Sequence, residues 1–242
     1  MSYDNNQEAS SINNLYNHRV RLPQSYFKKY EKVPEFPGKK DSGGWNRRDG
    51  WKGHDFPRVW CILDFIEWIE EYNAHTSLGG HIGFTCPDDP ELEFVEGYFE
   101  KKSLIQYPKF NLHNEIEVPE KFDFFLFSQT LEHLYNTQLA IKNIKNAMNQ
   151  NGLVFTSVPT INIPHMTPVH FGGLTPMGLA ALFAINGFEV LKIGQWGNHD
   201  YICKMFGNHR WPDFYELSNE NGEVSNEERN CCQCWILARA LT

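Results

Sequence analysis

The side chains best suited to chemistry lie where apolar runs break off into polar loops. The loop PTINIPHMTPVHFGGLTP carries His165 and His170 just beyond one such run. An imidazole titrates near neutral pH, so either can take a proton from a weakly acidic hydroxyl or simply satisfy backbone groups of a proline-rich loop. His199 and Asp200, after GQWGN, form a second loop-end pair. His165, His170 and Asp200 could hold a metal ion, but no ligand spacing requires one. In DFFLFSQTLEHL an apolar run ends at Ser128-Gln129-Thr130, and Glu132-His133 follow at once. In GFTCPDDPELEF, Cys86, Asp88 and Asp89 precede Pro90 and a run of acids, the pattern of a capped helix start. Neither the G-x-S-x-G elbow, the G-x-x-x-x-G-K-[ST] phosphate loop nor the H-E-x-x-H metal helix occurs.

The elements that must position these groups alternate. PRVWCILDFIEWIEEYNAH has Val59, Ile62, Leu63, Ile66 and Ile69 at helical spacing, predicting a helix over 58–73. GGHIGFTC (79–86) and KSLIQYP (102–108) read as strands on either side of a helix that Asp89 caps. FNLHN (110–114) reads as a further short strand and KFDFFLFS (121–128) as a buried one. NTQLAIKNIKNAMNQNG is a helix with Asn151-Gly152 as its stop. LVFTSVP (153–159) is the next strand. TPMGLAALFAINGF is a helix with Thr175 as cap, Pro176 in the first turn and Gly187 as stop. FEVLKIGQWG and CQCWILARAL are strands joined by a polar, acidic loop over 216–230 and can pair as a hairpin. The expected fold is a doubly wound, mostly parallel seven-stranded sheet with helices on both faces and its last strand antiparallel. Ligands in such sheets sit at the carboxyl ends of the strands, so chemistry is expected in the loops after 86, 107, 128 and 159.

Composition narrows the function classes. The 242 residues carry a formal net charge of −8, which argues against a nucleic-acid binder. A local basic stretch, with Lys39, Lys40, Arg47 and Arg48, interrupts this balance. Apolar runs fall far short of the roughly 20 residues of a membrane span. MSYDNNQEASS is no secretory leader, so a cytoplasmic protein without membrane partners is expected. The six cysteines are then reduced, and CCQCW reads as core cysteines of a strand in preference to a zinc site. Residues 1–55, aromatic but aperiodic, read as an irregular arm or lid before an α/β domain over 56–242.

The stretch FDFFLFSQTLEHLYNTQLAIKNIKNAMNQNGLVFTSVPT, followed by HMTPVHFGGLTPMGLAALFAINGFEVLKIGQWGN, resembles the second half of class I S-adenosylmethionine-dependent methyltransferases. An aspartate-led apolar strand runs into Leu-Glu-His. A helix, an Asn-Gly turn and a strand ending in Val-Pro come next, then a histidine-containing loop and a Thr-Pro-x-Gly-Leu helix start. The resemblance covers about residues 121–200. It implies a Rossmann-like fold, S-adenosylmethionine as cofactor and methyl transfer to a small-molecule acceptor, with a sugar or nucleotide-linked sugar hydroxyl the expected class.

The first half departs from that pattern. Where the family has a glycine-rich turn, this chain has Cys86, Pro87, Asp88, Asp89 and Pro90. Two readings stay open. In one, Asp88 or Asp89 holds the cofactor's ammonium, Gln106 or Tyr107 the ribose, and Asn111 or His113 the base edge. Cys86, Ser128, Gln129, Thr130 and His133 then line the methionine end, with His165 or His170 as the base. Arg47 or Arg48 would pair with an acceptor phosphate. In the other, the domain has kept the fold and serves as a binding or scaffold protein.

Overall fold

The computed structural model describes residue 15, residues 20–30, 52–53, 56–166 and 168–242. Lys39, Lys40, Arg47 and Arg48, and with them the expected lid and phosphate contact, lie outside the described residues. Strands β1 (His81–Phe84), β2 (Lys101–Leu104), β3 (Phe122–Leu126), β4 (Met148–Pro159), β5 (Phe188–Gly197) and β6 (Cys231–Ala240) form one sheet in the order β2-β1-β3-β4-β6-β5. β1 to β4 pair in parallel, and β6 runs antiparallel to both β4 and β5. From β1 the chain crosses to β2 on one side and then to β3 on the other. Strand order thus reverses between β1 and β3, which opens a crevice above their carboxyl ends.

The sheet has six strands and not seven. Phe110–Asn114 is a pair of turns: Phe110 N–H bonds to Gln106 O, and Asn114 N–H to Asn111 O. The Asn111 side chain closes the second turn by accepting from His113 N–H at 3.0 Å. A local side-chain acceptor thus outcompetes the ladder for this backbone.

Helices α1 (Gln24–Lys28), α2 (Arg58–His75), α3 (Pro90–Val95), α4 (Thr137–Asn146), α5 (Pro176–Ile185) and α6 (His199–Asn208) complete the described fold. In β3 both faces are buried. Phe124 and Leu126 meet α2 and α3 on one face, while Phe125 and Phe127 meet α4 and α5 on the other. This two-sided burial explains why FDFFLF is apolar at nearly every position. The exception, Asp123, accepts from His81 N–H at 2.9 Å and Asn149 Nδ2 at 2.8 Å, pinning the start of β3 to β1 and β4. α2 buries Val59, Trp60, Cys61, Ile62, Phe65, Trp68 and Ile69. Its core face is therefore rotated from the expected stripe, with Leu63 and Ile66 at its edge. Cys232 and Cys234 are core side chains on opposite faces, and burial pushes the Cys232 thiol up to about 12.

Two ends behave as the sequence suggests. Thr175 caps α5 by accepting from Gly178 N–H at 3.1 Å, and Gly187 stops it at φ 80°. Residues 20–30 pack on the fold through buried Val20 and Phe27 and through Asp64. Asp64, buried in α2, accepts from Tyr26 Oη at 2.6 Å, Lys29 Nζ at 3.2 Å, Tyr30 Oη at 3.2 Å and Trp235 Nε1 at 3.0 Å. α6 was not expected: Asn198 caps it by accepting from Tyr201 N–H at 2.9 Å, and Tyr201 and Met205 alone are buried. Among the described residues no helix is long and apolar enough to cross a membrane.

Candidate active site

A cavity of about 470 Å³ opens at the carboxyl ends of β1, β3 and β4. Its size falls within the range of small-molecule sites. The loop after β1 supplies Cys86, Asp88 and Asp89, and the turn after β3 supplies Gln129, Glu132 and His133. The loop after β4 supplies Pro159, Ile161, Asn162 and His165. Arg58 from the first turn of α2, Tyr201 from α6, Trp211, and Cys232 and Gln233 from β6 close the walls.

The loop after β1 is built on charge. Asp89 occupies the position before α3, yet its side chain makes no capping bond. Its Oδ1 lies 3.4 Å from Arg58 Nη2, and its Oδ2 is buried with no partner among the described residues. The same Arg58 nitrogen donates to Glu91 Oε2 at 2.8 Å. Glu91 is wholly buried, and the thiol of Cys61 lies 3.8 Å from its Oε1. Burial pushes the Asp89 carboxyl up to about 7, with Glu91 adding to the rise and Arg58 opposing it.

The turn after β3 is strained. Gln129 stands at φ 48°, a left-handed conformation that costs a non-glycine residue on the order of 1 kcal/mol. Two bonds to Ser157 hold it there: Gln129 N–H to Ser157 O at 2.8 Å and Nε2 to Ser157 Oγ at 3.1 Å. Glu132 follows in a 3-10 turn over Leu131–His133 and is 3% exposed. Its Oε2 has no partner among the described residues, and burial raises its carboxyl to about 8. Two buried carboxylates, Asp89 and Glu132, therefore line the cavity, each with an acceptor oxygen that has no partner among the described residues. Such oxygens are costly without a donor and suit a ligand that brings one.

The loop after β4 returns over the site because Gly173 lies against β4. A Cβ there would stand 2.3 Å from Pro159 O. The return brings His165 and His170 next to His133, with ring centroids 5.2 Å apart for His133–His165 and 6.4 Å for His133–His170. His165 and His170 stack at 5.2 Å. His165 Nδ1 donates to Ile163 O at 3.1 Å, and the Nε2 of His170 is buried without a partner among the described residues. Burial, and then the neighbouring imidazoles, lower the His170 pKa. Among the described residues no three His, Cys, Asp or Glu side chains could hold a metal ion together.

Of the residues expected from the sequence, the cavity thus gathers Cys86, Asp88, Asp89, Gln129, His133 and His165. His170 stands behind His165. Ser128 is buried beneath the site, and Thr130 bonds to Thr85 Oγ1 at 3.2 Å and to Ser128 O at 3.0 Å. Gln106, Tyr107, Asn111 and His113 do not line this cavity. Gln106 and Tyr107 are exposed, while Asn111 serves its own turn and His113 stacks on Tyr135 at 3.9 Å. His199 and Asp200 open α6 and do not line the cavity. Arg58, Asn162, Tyr201, Trp211 and Gln233 are additions from the fold. Only the Arg at a helix start beside a loop of acids carried a signal in the sequence, through charge complementarity.

No protein-family model matches the chain, and no curated protein matches it. Solved structures do. An S-adenosylmethionine-dependent methyltransferase from Clostridium acetobutylicum superposes with a TM-score of 0.50 at 7% identity, covering 78% of this chain and 97% of that one. The N-methyltransferase NodS from Bradyrhizobium japonicum, in complex with S-adenosyl-L-homocysteine, gives a TM-score of 0.43 at 11% identity, covering 90% and 99%. The [4+2]-cyclase SpnF gives 0.45 at 11%, covering 85% and 88%. The likeness to the clostridial enzyme identifies the architecture as the Rossmann-like methyltransferase fold.

Proposed function

We propose that this chain transfers a methyl group from S-adenosylmethionine to a small polar acceptor, a sugar or nucleotide-linked sugar hydroxyl. The observation that carries the reading is the pair of buried, unpartnered carboxylate oxygens, Asp89 Oδ2 and Glu132 Oε2, in a cavity at the switch point of this fold. They fit the ammonium of the cofactor's methionine end, which brings the donors and the charge both carboxylates lack. Arg58, on the same wall, fits the adjoining carboxylate. When bound, the cofactor supplies an electrophilic methyl on a sulfonium centre.

The chain's own part is to align and to exclude water. The strained turn at Gln129 and the cavity residues Cys86 and Asp88 hold the methionine end, while His133, His165 and Trp211 border the acceptor side. In-line displacement at a methyl carbon gains chiefly from such positioning. Support for Gln106, Tyr107, Asn111 and His113 as ribose and base contacts remains that of sequence order alone. Support for an arm over 1–55, a catalytic unit over 56–242 and a cytoplasmic location is of the same kind.

The test is calorimetric titration of the full chain with S-adenosylmethionine and S-adenosylhomocysteine. Saturable heat with both, and a thermal shift, are expected. No heat and no shift at millimolar ligand would overturn the reading and favour a non-catalytic member of the fold. The stiff turn with Pro87 and Pro90 and no glycine would then be its cause.

A further inference from the structure

We propose that His133 is the base that takes the acceptor's proton, an inference that rests on the methyl-transfer reading. Three imidazoles meet at the acceptor side; His133 and His165 share one tautomer, each Nδ1 donating to a carbonyl, and place and anchoring separate the three. His133 Nδ1 lies 3.0 Å from Val169 O, and a carbonyl only accepts, so Nδ1 carries the proton and Nε2 keeps its lone pair. That Nε2 stands 3.8 Å from Glu132 Oε1, too far for a hydrogen bond, and both side chains line the cavity. His170 does not line the cavity, and its Nε2 is buried. His165 does line it, but sits on the proline-rich loop and not on the turn that ends a central strand.

The turn makes His133 the better-held base. His133 N–H bonds to Thr130 O at 3.0 Å, Phe171 N–H bonds to Glu132 O at 2.8 Å, and the ring is tied to Val169. The groups facing it are Glu132 on its own turn and His165 and His170 from the loop after β4. Asp89 and Arg58 act on Glu132. Burial lowers the His133 pKa, so the imidazole is neutral and able to accept at neutral pH. In the reaction the acceptor O–H bond breaks and its proton moves to Nε2. The freed oxygen pair forms the bond to the methyl carbon, and the old C–S pair leaves with sulfur. The positive charge ends on the imidazolium, beside Glu132, and the proton passes to solvent.

Long-range 1H–15N spectra of the full chain, with His133 assigned by the loss of its signals in His133→Gln, read the tautomer directly. The Nδ1–H form, titrating below 6.5, is expected; an Nε2–H form would overturn the assignment. Methyl transfer from S-adenosylmethionine to UDP-glucose, GDP-mannose and dTDP-glucose supplies the kinetic arm. His133→Gln should lower kcat by about 10²- to 10⁴-fold while cofactor affinity stays within about twofold. A loss of that size in His165→Gln, with His133→Gln unaffected, would overturn it. Absence of cofactor heat in both wild type and variant would instead count against the methyl-transfer reading and leave the tautomer result standing.

Discussion

Replacing Glu132 by Gln isolates what a buried, unpartnered carboxylate does to this fold. Burial raises its pKa from the ordinary 4.5 to about 8. The folded chain therefore holds that proton more tightly than the unfolded chain. The associated stability is complete below the unfolded value and is lost as pH rises through about 8. At about 1.4 kcal/mol per pH unit, the interval is worth at most roughly 5 kcal/mol. Gln is a neutral mimic of the protonated acid and has no such loss. Urea unfolding of both proteins between about pH 5 and about pH 9 should show the variant gaining on wild type by about 2–5 kcal/mol across the window. Asp89, raised to about 7, titrates in both proteins and so cancels to first order in the difference. The cofactor reading adds a second observable. If ionised Glu132 meets an ammonium, wild-type affinity for S-adenosylmethionine should climb over the same window by up to about tenfold per pH unit, and the variant should lose that climb. A stability difference that stays constant with pH would refute the argument, because Glu132 would then be as solvated as an ordinary carboxylate.

Arg58→Ala leaves Glu91 wholly buried without its cation and should cost about 3–5 kcal/mol in urea unfolding, with Arg58→Lys recovering part of it. Asp64→Asn removes the charge shared by Tyr26, Lys29, Tyr30 and Trp235. It should release residues 24–30 first, seen as faster amide exchange there than in β3. Gln129→Gly relaxes the left-handed backbone and should be stabilising by about 1 kcal/mol in thermal unfolding, while weakening cofactor binding through the lost side-chain tie to Ser157.

What could be read in advance follows the reach of each interaction. β3 and α5 announce themselves because their signals are local: two-sided burial in FDFFLF, and a cap and a stop at Thr175 and Gly187. β4 does so only in part, since α4 ends at Asn146 and Asn151-Gly152, expected as its stop, lies inside a strand that begins at Met148. FNLHN misleads because five residues with two apolar ones at period 2 look alike as strand and as turn, and the Asn111 side chain decides between them. α6 hides because only Tyr201 and Met205 face inward, too few for a stripe. The histidine loop and the Glu132-His133 turn were visible as loop ends. That His165 and His170 come to lie beside His133 depends on Gly173 folding the loop back against Pro159, a contact between chain segments that no spacing encodes.

The loop after β1 is where the fold and the charge pattern have to be read together. A glycine-rich turn lets backbone approach a cofactor because no Cβ intervenes. Here Pro87 and Pro90 stiffen the turn, and under the proposed function the approach falls to side chains: Asp89, with one oxygen near Arg58 and the other without a partner among the described residues, and Glu132 lining the same cavity. Arg58 keeps Glu91 and Asp89 from standing as two bare acids in a dry wall. Under the proposed function recognition moves from shape to charge, so the missing glycines do not by themselves mark a dead site. A double change of Asp89→Asn with Glu132→Gln puts this to the test. If charge does the work, cofactor affinity should fall by more than the sum of the single changes in kcal/mol, because each carboxylate alone still offers one acceptor. Strict additivity would mean that the two oxygens do not share a ligand group, and the ammonium site as drawn would be wrong.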